Sequence, residues 1–266
     1  AHERYERGRR KAAAKDSVRA LSKLTERRDG SIRIISQPPL IVPVDEIAGG
    51  ASAEQIREYL EALINAYAKP LPDSAATLLK GYRYVDAARK VVGVGSVGTR
   101  CWIVLMLGRD EGDPLFLQVK EAEASARASH LPRSRYRHQG RRVVEGQRLM
   151  QAAGDILLGW LTAEGLDGKE REFYVRQLWD GKASARIELM DANLLGAYWR
   201  LCGATLARGH ARAGDRVAIA GYLGRSTTFD DAMARFAATY ADQSERDYEA
   251  FAEAVASGRL AAERDL

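Results

Sequence analysis

Gly93-x-Gly95-x-x-Gly98 places three residues without side chains inside six positions. Such a run lets backbone N–H groups approach an anion closely, because no Cβ stands in the way. The amides of Ser96, Val97 and Gly98 are the candidate donors to phosphate oxygens. Alone, the spacing also fits a plain turn or bulge. Two further residues give it weight. Lys120 closes the apolar run Leu115-Phe116-Leu117-Gln118-Val119, and lysine is scarce here, nine residues in a chain with 41 basic ones. An ammonium is a compact charge with three donors, suited to holding phosphates. Glu145 lies on the next helical segment, where a carboxylate could pair with Lys120 and fix its aim. Glu121 and Glu123 are rival partners.

The element after the glycines decides what they do. A dinucleotide fingerprint opens a helix, so that the pyrophosphate meets a helix N-terminus. A kinase glycine loop instead joins two strands and folds over the phosphates. Residues 99–107 contain Thr99, Cys101, Trp102, Ile103 and Val104, poor helix formers and good strand formers. The strand–loop–strand reading is therefore preferred. Glu121 keeps the Rossmann-type alternative open, since it stands near the usual place of a ribose-binding acid. A lysine on the third strand and a glutamate on the following helix complete the kinase pattern.

The elements that must position these residues follow from periodicity. Residues 9–25 have helical spacing, with Val18, Leu21 and Leu24 on one face. Residues 31–35 and 40–42 read as two short strands around Pro38-Pro39, and residues 45–50 as a linker. Ser52-Ala53-Glu54-Gln55 is a capping box. Behind it Ile56, Leu60, Leu63 and Tyr67 form an apolar stripe, which Pro70 and Pro72 end. Residues 91–121 should give three antiparallel strands. A helix is expected over 142–153 with Val144 and Leu149 inward, then strands at 156–161 and 173–178. Helices follow over 191–211, 229–240 and 245–256, with Asp230 and Asp231 favoured by the dipole of their helix. The segment from His210 to Asp215 reads as a helix end with a Gly stop.

Phosphoryl transfer also needs a catalytic Asp and an Asn and Asp on the metal. The chain has only two asparagines, Asn65 and Asn193. The first lies in the packing helix and the second at a helix start. Five positions after Asp215 stands Ala220, so catalytic-loop spacing is missing. No Ser/His/Asp or Cys/His set stands out, and the four histidines show no metal spacing. No catalytic or metal residue is assigned.

The 266 residues, 46% hydrophobic, suffice for one large or two small domains. No stretch reaches the length of a membrane span, and the charged start is unlike a signal peptide. Cys101 and Cys202 without metal spacing suit a reduced cytoplasmic compartment. The charge of +5 is mild. It is spread out apart from residues 7–11 and the run with Arg133, Arg135, Arg137, Arg141 and Arg142, so no nucleic-acid partner is read from charge alone.

Several segments are similar to a bacterial family known as domain of unknown function 2252. They are residues 89–101 (RKVVGVGSVGTRC), 117–122 (LQVKEA), 142–151 (RVVEGQRLMQ), 173–178 (FYVRQL), 207–214, 220–224 and 240–243. The resemblance covers nearly the whole chain. It implies members longer at the N-terminus, carrying Gly-Asp-x-His-x-x-Asn and Asp-Phe-Asp stretches that resemble the catalytic and metal loops of aminoglycoside-phosphotransferase-like kinases, in permuted order. Both stretches are missing here, so the chain reads as the C-terminal portion. Mg²⁺ would then bind only with the missing segment.

The expectation is an α+β fold: a kinase-like N-lobe (antiparallel sheet, glycine loop and one helix) with an α-helical lobe, the catalytic-loop segment absent. Its parts would be N-terminal helices and a short hairpin (1–80), a nucleotide-binding lobe (81–180) and a helical lobe (181–266). The expected ligand is ATP, with an unnamed phosphate acceptor and no membrane. The expected function is that of a kinase-like, nucleotide-binding protein lacking catalytic residues in this chain. A non-catalytic nucleotide-binding or interaction protein of the same fold is an alternative, as is a Rossmann-type oxidoreductase.

Overall fold

Two adjacent runs, residues 101–107 and 114–117, are apolar at every position, and such strands need cover on both faces. They are the centre of a six-stranded sheet in the computed structural model, which describes residues 17–91, 93, 98–165, 167–178 and 185–262. The strands are β3 (Ile41–Pro43), β4 (Arg83–Lys90), β5 (Cys101–Leu107), β6 (Pro114–Glu121), β7 (Gly159–Glu164) and β8 (Glu170–Gln177). Their order is β3-β4-β5-β6-β8-β7, and every pairing is antiparallel. Two strands, β1 (Thr25–Arg28) and β2 (Ser31–Ile34), form a separate hairpin. Eight α-helices complete the described residues, an α+β fold.

Period-2 alternation divides β5 and β6 between two cores. Val104, Met106, Leu115 and Leu117 meet Phe173, Val175, Tyr67, Leu71 and Leu79 on one face. Ile103, Leu105, Leu107 and Phe116 meet Ala20, Leu24, Ile34 and Leu178 on the other. A one-residue slip would exchange the two sets, so the register is strongly specified.

The first face is covered by α3 (Ala53–Ala68) and α4 (Asp73–Leu79), after the one-turn α2 (Val44–Ile47) that occupies part of the expected linker. The capping box forms as read: Gln55 N–H donates to Ser52 Oγ at 3.2 Å, and Ser52 N–H to Gln55 Oε1 at 2.8 Å. Tyr67 is buried, and Ile56, Leu60 and Leu63 are half-buried against the core. On the second face lies α1 (Ser17–Leu24), which buries Ala20 and Leu24 and leaves Val18 53% exposed, so Val18 is not on the packing face.

The short hairpin differs from expectation. Residues 31–34 pair with 25–28, not with 40–42. The turn is Asp29-Gly30, with φ of 52° and 74°. Both values are left-handed, the geometry of a two-residue hairpin turn, which Asp-Gly favours. Ile41–Pro43 instead joins β4 as an edge strand. Buried Asp86 on β4 ties the hairpin to the sheet by accepting from the Ile34 N–H at 2.8 Å and the Ala87 N–H at 2.9 Å. Burial pushes its carboxyl pKa up.

Three antiparallel strands form around the glycine segment, but the first ends earlier than expected, at Lys90. Val91 is exposed. The chain then makes α5 (Gln139–Met150), with Val144 fully buried and Leu149 exposed. Two compact units divide the chain, Ala1–Ala204 and Thr205–Leu266. α6 runs over Ala192–Ala213. In the second unit, Asp215 caps α7 (Arg216–Leu223) by accepting from the Val217 and Ala218 amides at 2.9 and 3.0 Å. Asp215 is thus a helix start as well as the end of a Gly stop. The two helices expected beyond it are one, α8 (Thr228–Ala256), with Asp230 and Asp231 in its first turn. No Gly or Pro interrupts residues 241–244, and Gln243 bridges the expected gap by contacts to Asp247 and Arg246.

Candidate functional site

Lys120 is set by the pleat of β6. Gln118 and Phe116 share its face, two and four residues back. Its ladder neighbours are Cys101 on β5 and Tyr174 on β8, while Gln118 stands between Ile103 and Arg176. Arg176 donates from Nε and Nη2 to Gln118 Oε1 at 3.1 and 2.9 Å. Gln118 is 3% exposed, so this bond satisfies a buried amide oxygen. Burial pushes the Cys101 thiol pKa up; the charges of Lys120, Arg176 and Lys90, and a bond from Gln118, oppose that shift. Three cations thus surround one strand end. None of the three forms an ion pair among the described residues.

The glycine segment lies in the chain between β4 and β5. Gly98 has φ of 86°, which an L side chain rarely adopts, and a Cβ at Gly93 would meet nothing within 4 Å. Gly95, Ser96 and Val97 lie outside the described residues. The segment after Gly98 is strand from Cys101, where the Rossmann-type alternative needs a helix. With every ladder antiparallel, that alternative is removed.

Glu145 is not the partner of Lys120. It sits on α5 between Arg141 and Arg148, 4.0 and 3.6 Å away, and these local arginines, one turn to either side, take its charge. α5 itself is held close to the sheet at Gly140, where a Cβ would lie 2.1 Å from the Phe173 carbonyl oxygen. His138 Nδ1 accepts from the Arg141 N–H at 3.1 Å to cap the helix. Arg141 and Arg148 also lie over the Trp160 ring, at 5.4 and 5.9 Å. In the arginine-rich loop, Arg135 and Arg141 flank Tyr136, and Arg142 donates to the Glu123 carbonyl at 3.0 Å.

Glu121 is not the partner either. One residue beyond Lys120, it points to the opposite face. There its side chain, 7% exposed, meets Arg100 Nη1 at 3.2 Å and Arg171 Nε at 3.3 Å, and it also accepts from the Arg100 N–H. Asp167 bonds Arg171 at 2.6 and 2.7 Å, which holds its carboxyl well below the usual carboxylate range. The network locks the turn between β7 and β8 to the end of β6.

Sequence reading missed Gln118, Arg176 and Lys90. The signal for Arg176 was present in the alternation Phe173-Tyr174-Val175-Arg176, which puts two polar side chains on the Lys120 face.

The model of the bacterial family DUF2252, uncharacterised proteins conserved in bacteria, matches residues 1–254. The chain belongs to this family. No curated protein and no solved structure matches it. Among the described residues, no group of His, Cys, Asp and Glu is placed to hold a metal ion, and no helix is long and apolar enough to cross a membrane.

Proposed function

We propose that this member of the DUF2252 family binds a nucleotide through its phosphates, ATP being the expected ligand, on the sheet face that carries Lys120. One observation carries the reading. Lys120 stands on the third of three consecutive antiparallel strands, the first two of which flank the glycine segment, with Arg176 and Lys90 nearby and, among the described residues, no carboxylate taking its charge. Clustered cations without counter-charges favour an anionic ligand. The strand–glycines–strand–lysine strand–helix order matches the kinase-type phosphate lobe. Glu145 pairing with Arg141 and Arg148 departs from that pattern, since a kinase lysine pairs with the helix glutamate.

Lys120 would hold phosphate oxygens that the amides of Ser96, Val97 and Gly98 also contact, and Arg176 would hold Gln118 and add positive potential. Glu145 would position α5 through Arg141 and Arg148. No residue of this chain is proposed as catalytic base or Mg²⁺ ligand. The reading is of nucleotide binding, and phosphotransfer would need groups supplied from elsewhere. Acylation footprinting tests it. ATP should protect Lys120 from an amine-reactive acetyl ester and leave Lys69 and Lys80 as reactive as before. Equal labelling of Lys120 with and without saturating ATP would refute it.

A further inference from the structure

The opposite face of the sheet carries a cavity of about 670 Å³ between α3 and strands β4, β5, β6 and β8. That size lies within the range of small-molecule pockets. Its walls include Leu60, Leu63, Trp102, Val104, Leu117 and Val119.

The cavity exists because α3 is held along β7 and stands off the middle of the sheet. The Tyr67 hydroxyl donates to the Leu157 carbonyl, and the Tyr59 hydroxyl to the Glu164 carbonyl. Gly159 lets the helix end seat on β7, since a Cβ there would lie 2.7 Å from Tyr67 Cε2 and 2.8 Å from Leu71 Cδ2. Two anchors eight residues apart fix the helix, so the space beneath Leu60 and Leu63 is preformed. An occupant would not first have to pry the helix away.

Polar groups sit at the cavity's edges. Glu164 and Asp167 lie on the β7 side, where Asp167 is bonded to Arg171. Arg89 lines the wall on the β4 side, exposed and with no hydrogen bond or ion pair among the described residues. β4 and β7 are four ladder steps apart, roughly 19 Å at the usual strand spacing. Glu164 is thus far from an anionic head at Arg89. Asp167 stands 3.7 Å from Nη2 of Arg100, which also lines the cavity, and has its charge met there and by Arg171. A chain extending from Arg89 would cross Trp102, Val104, Val119 and Leu117.

We propose that this cavity binds an amphiphile of the fatty-acid class, its carboxylate on Arg89 and its apolar chain between α3 and the sheet. The site is separate from the Lys120 face and independent of the nucleotide reading.

Calorimetric titration of the full chain with dodecanoate, dodecanol and dodecyltrimethylammonium tests the proposal. Dodecanoate should bind saturably, one per chain, and more tightly than the cationic analogue. Arg89→Met should weaken dodecanoate about tenfold, the scale of one charge-assisted hydrogen bond, and leave dodecanol unchanged. Leu60→Trp, which fills the cavity from the half-buried helix side, should abolish binding while the far-ultraviolet circular dichroism stays native. Leu63→Trp serves the same purpose if Leu60→Trp does not fold. The proposal is overturned by the absence of saturable dodecanoate binding, by equal affinity for the cationic analogue, by an Arg89→Met chain that binds dodecanoate as before, or by a folded cavity-filling variant that still binds.

Discussion

Arg176 reaches across the β6–β8 ladder and gives two hydrogen bonds to the carboxamide oxygen of Gln118, two residues before Lys120. A buried amide and a guanidinium therefore set the floor beside the lysine. Arg176→Ala would leave the Gln118 oxygen without its donors, at a cost of about 1–3 kcal/mol in stability. Urea unfolding should show it as a lower midpoint with unchanged slope. Arg176→Ala should also weaken ATP binding, because it removes a neighbouring cation.

Gly140→Ala should destabilise the protein although alanine is the better helix former. The added methyl would meet the Phe173 carbonyl at 2.1 Å, a backbone atom that cannot swing aside. Overpacking of this kind costs about 1–3 kcal/mol, against about 1 kcal/mol of helix propensity in its favour. A thermal melt of Gly140→Ala above that of the parent chain would contradict the packing of α5 on β8.

The acid limb of stability should depend on Asp167. Its folded-state pKa is depressed, first of all by hydrogen bonds from Arg171. Such a group contributes stability above the ordinary carboxylate value and loses it as pH falls through the lower folded value. Asp167→Asn should flatten the decline in stability below the ordinary carboxylate range, seen in urea midpoints measured across acidic pH. An unchanged acid limb would remove Asp167 as a contributor.

Cys101 and Cys202 should differ in reactivity. Burial raises the Cys101 pKa above the ordinary thiol value, and that thiol is 3% exposed. Less thiolate and less access both slow alkylation. With iodoacetamide at neutral pH, mass spectrometry should find Cys202, which is half-buried, modified well before Cys101.

The strand after the glycines was legible because the propensity of Cys101, Trp102, Ile103 and Val104 separates a strand from a helix, and the capping box at Ser52 and Gln55 was legible because it is local chemistry. The opposed directions of Lys120 and Glu121 were also implicit in period-2 alternation. Partners were not legible. Spacing could not show that Arg141 and Arg148 take Glu145, or that Arg100 and Arg171 take Glu121, since several acids and bases lie at workable separations. The Asp29-Gly30 hairpin was a readable turn signal, obscured by the two prolines farther on. The cavity under α3 depends on how Tyr59 and Tyr67 seat a helix on β7, a tertiary outcome that no local pattern encodes.

The nucleotide reading turns on Lys120, and titration of the full chain and of Lys120→Ala with ATP, with and without Mg²⁺, tests it most directly. The parent chain should bind ATP, and Lys120→Ala should weaken that binding by about 1.5–3 kcal/mol, the scale of a hydrogen bond to a charged group, with circular dichroism unchanged. Lys69→Ala, on the far side of the capped helix, should bind as the parent does. A parent chain that binds no ATP, or an affinity that survives the loss of Lys120, would contradict the account.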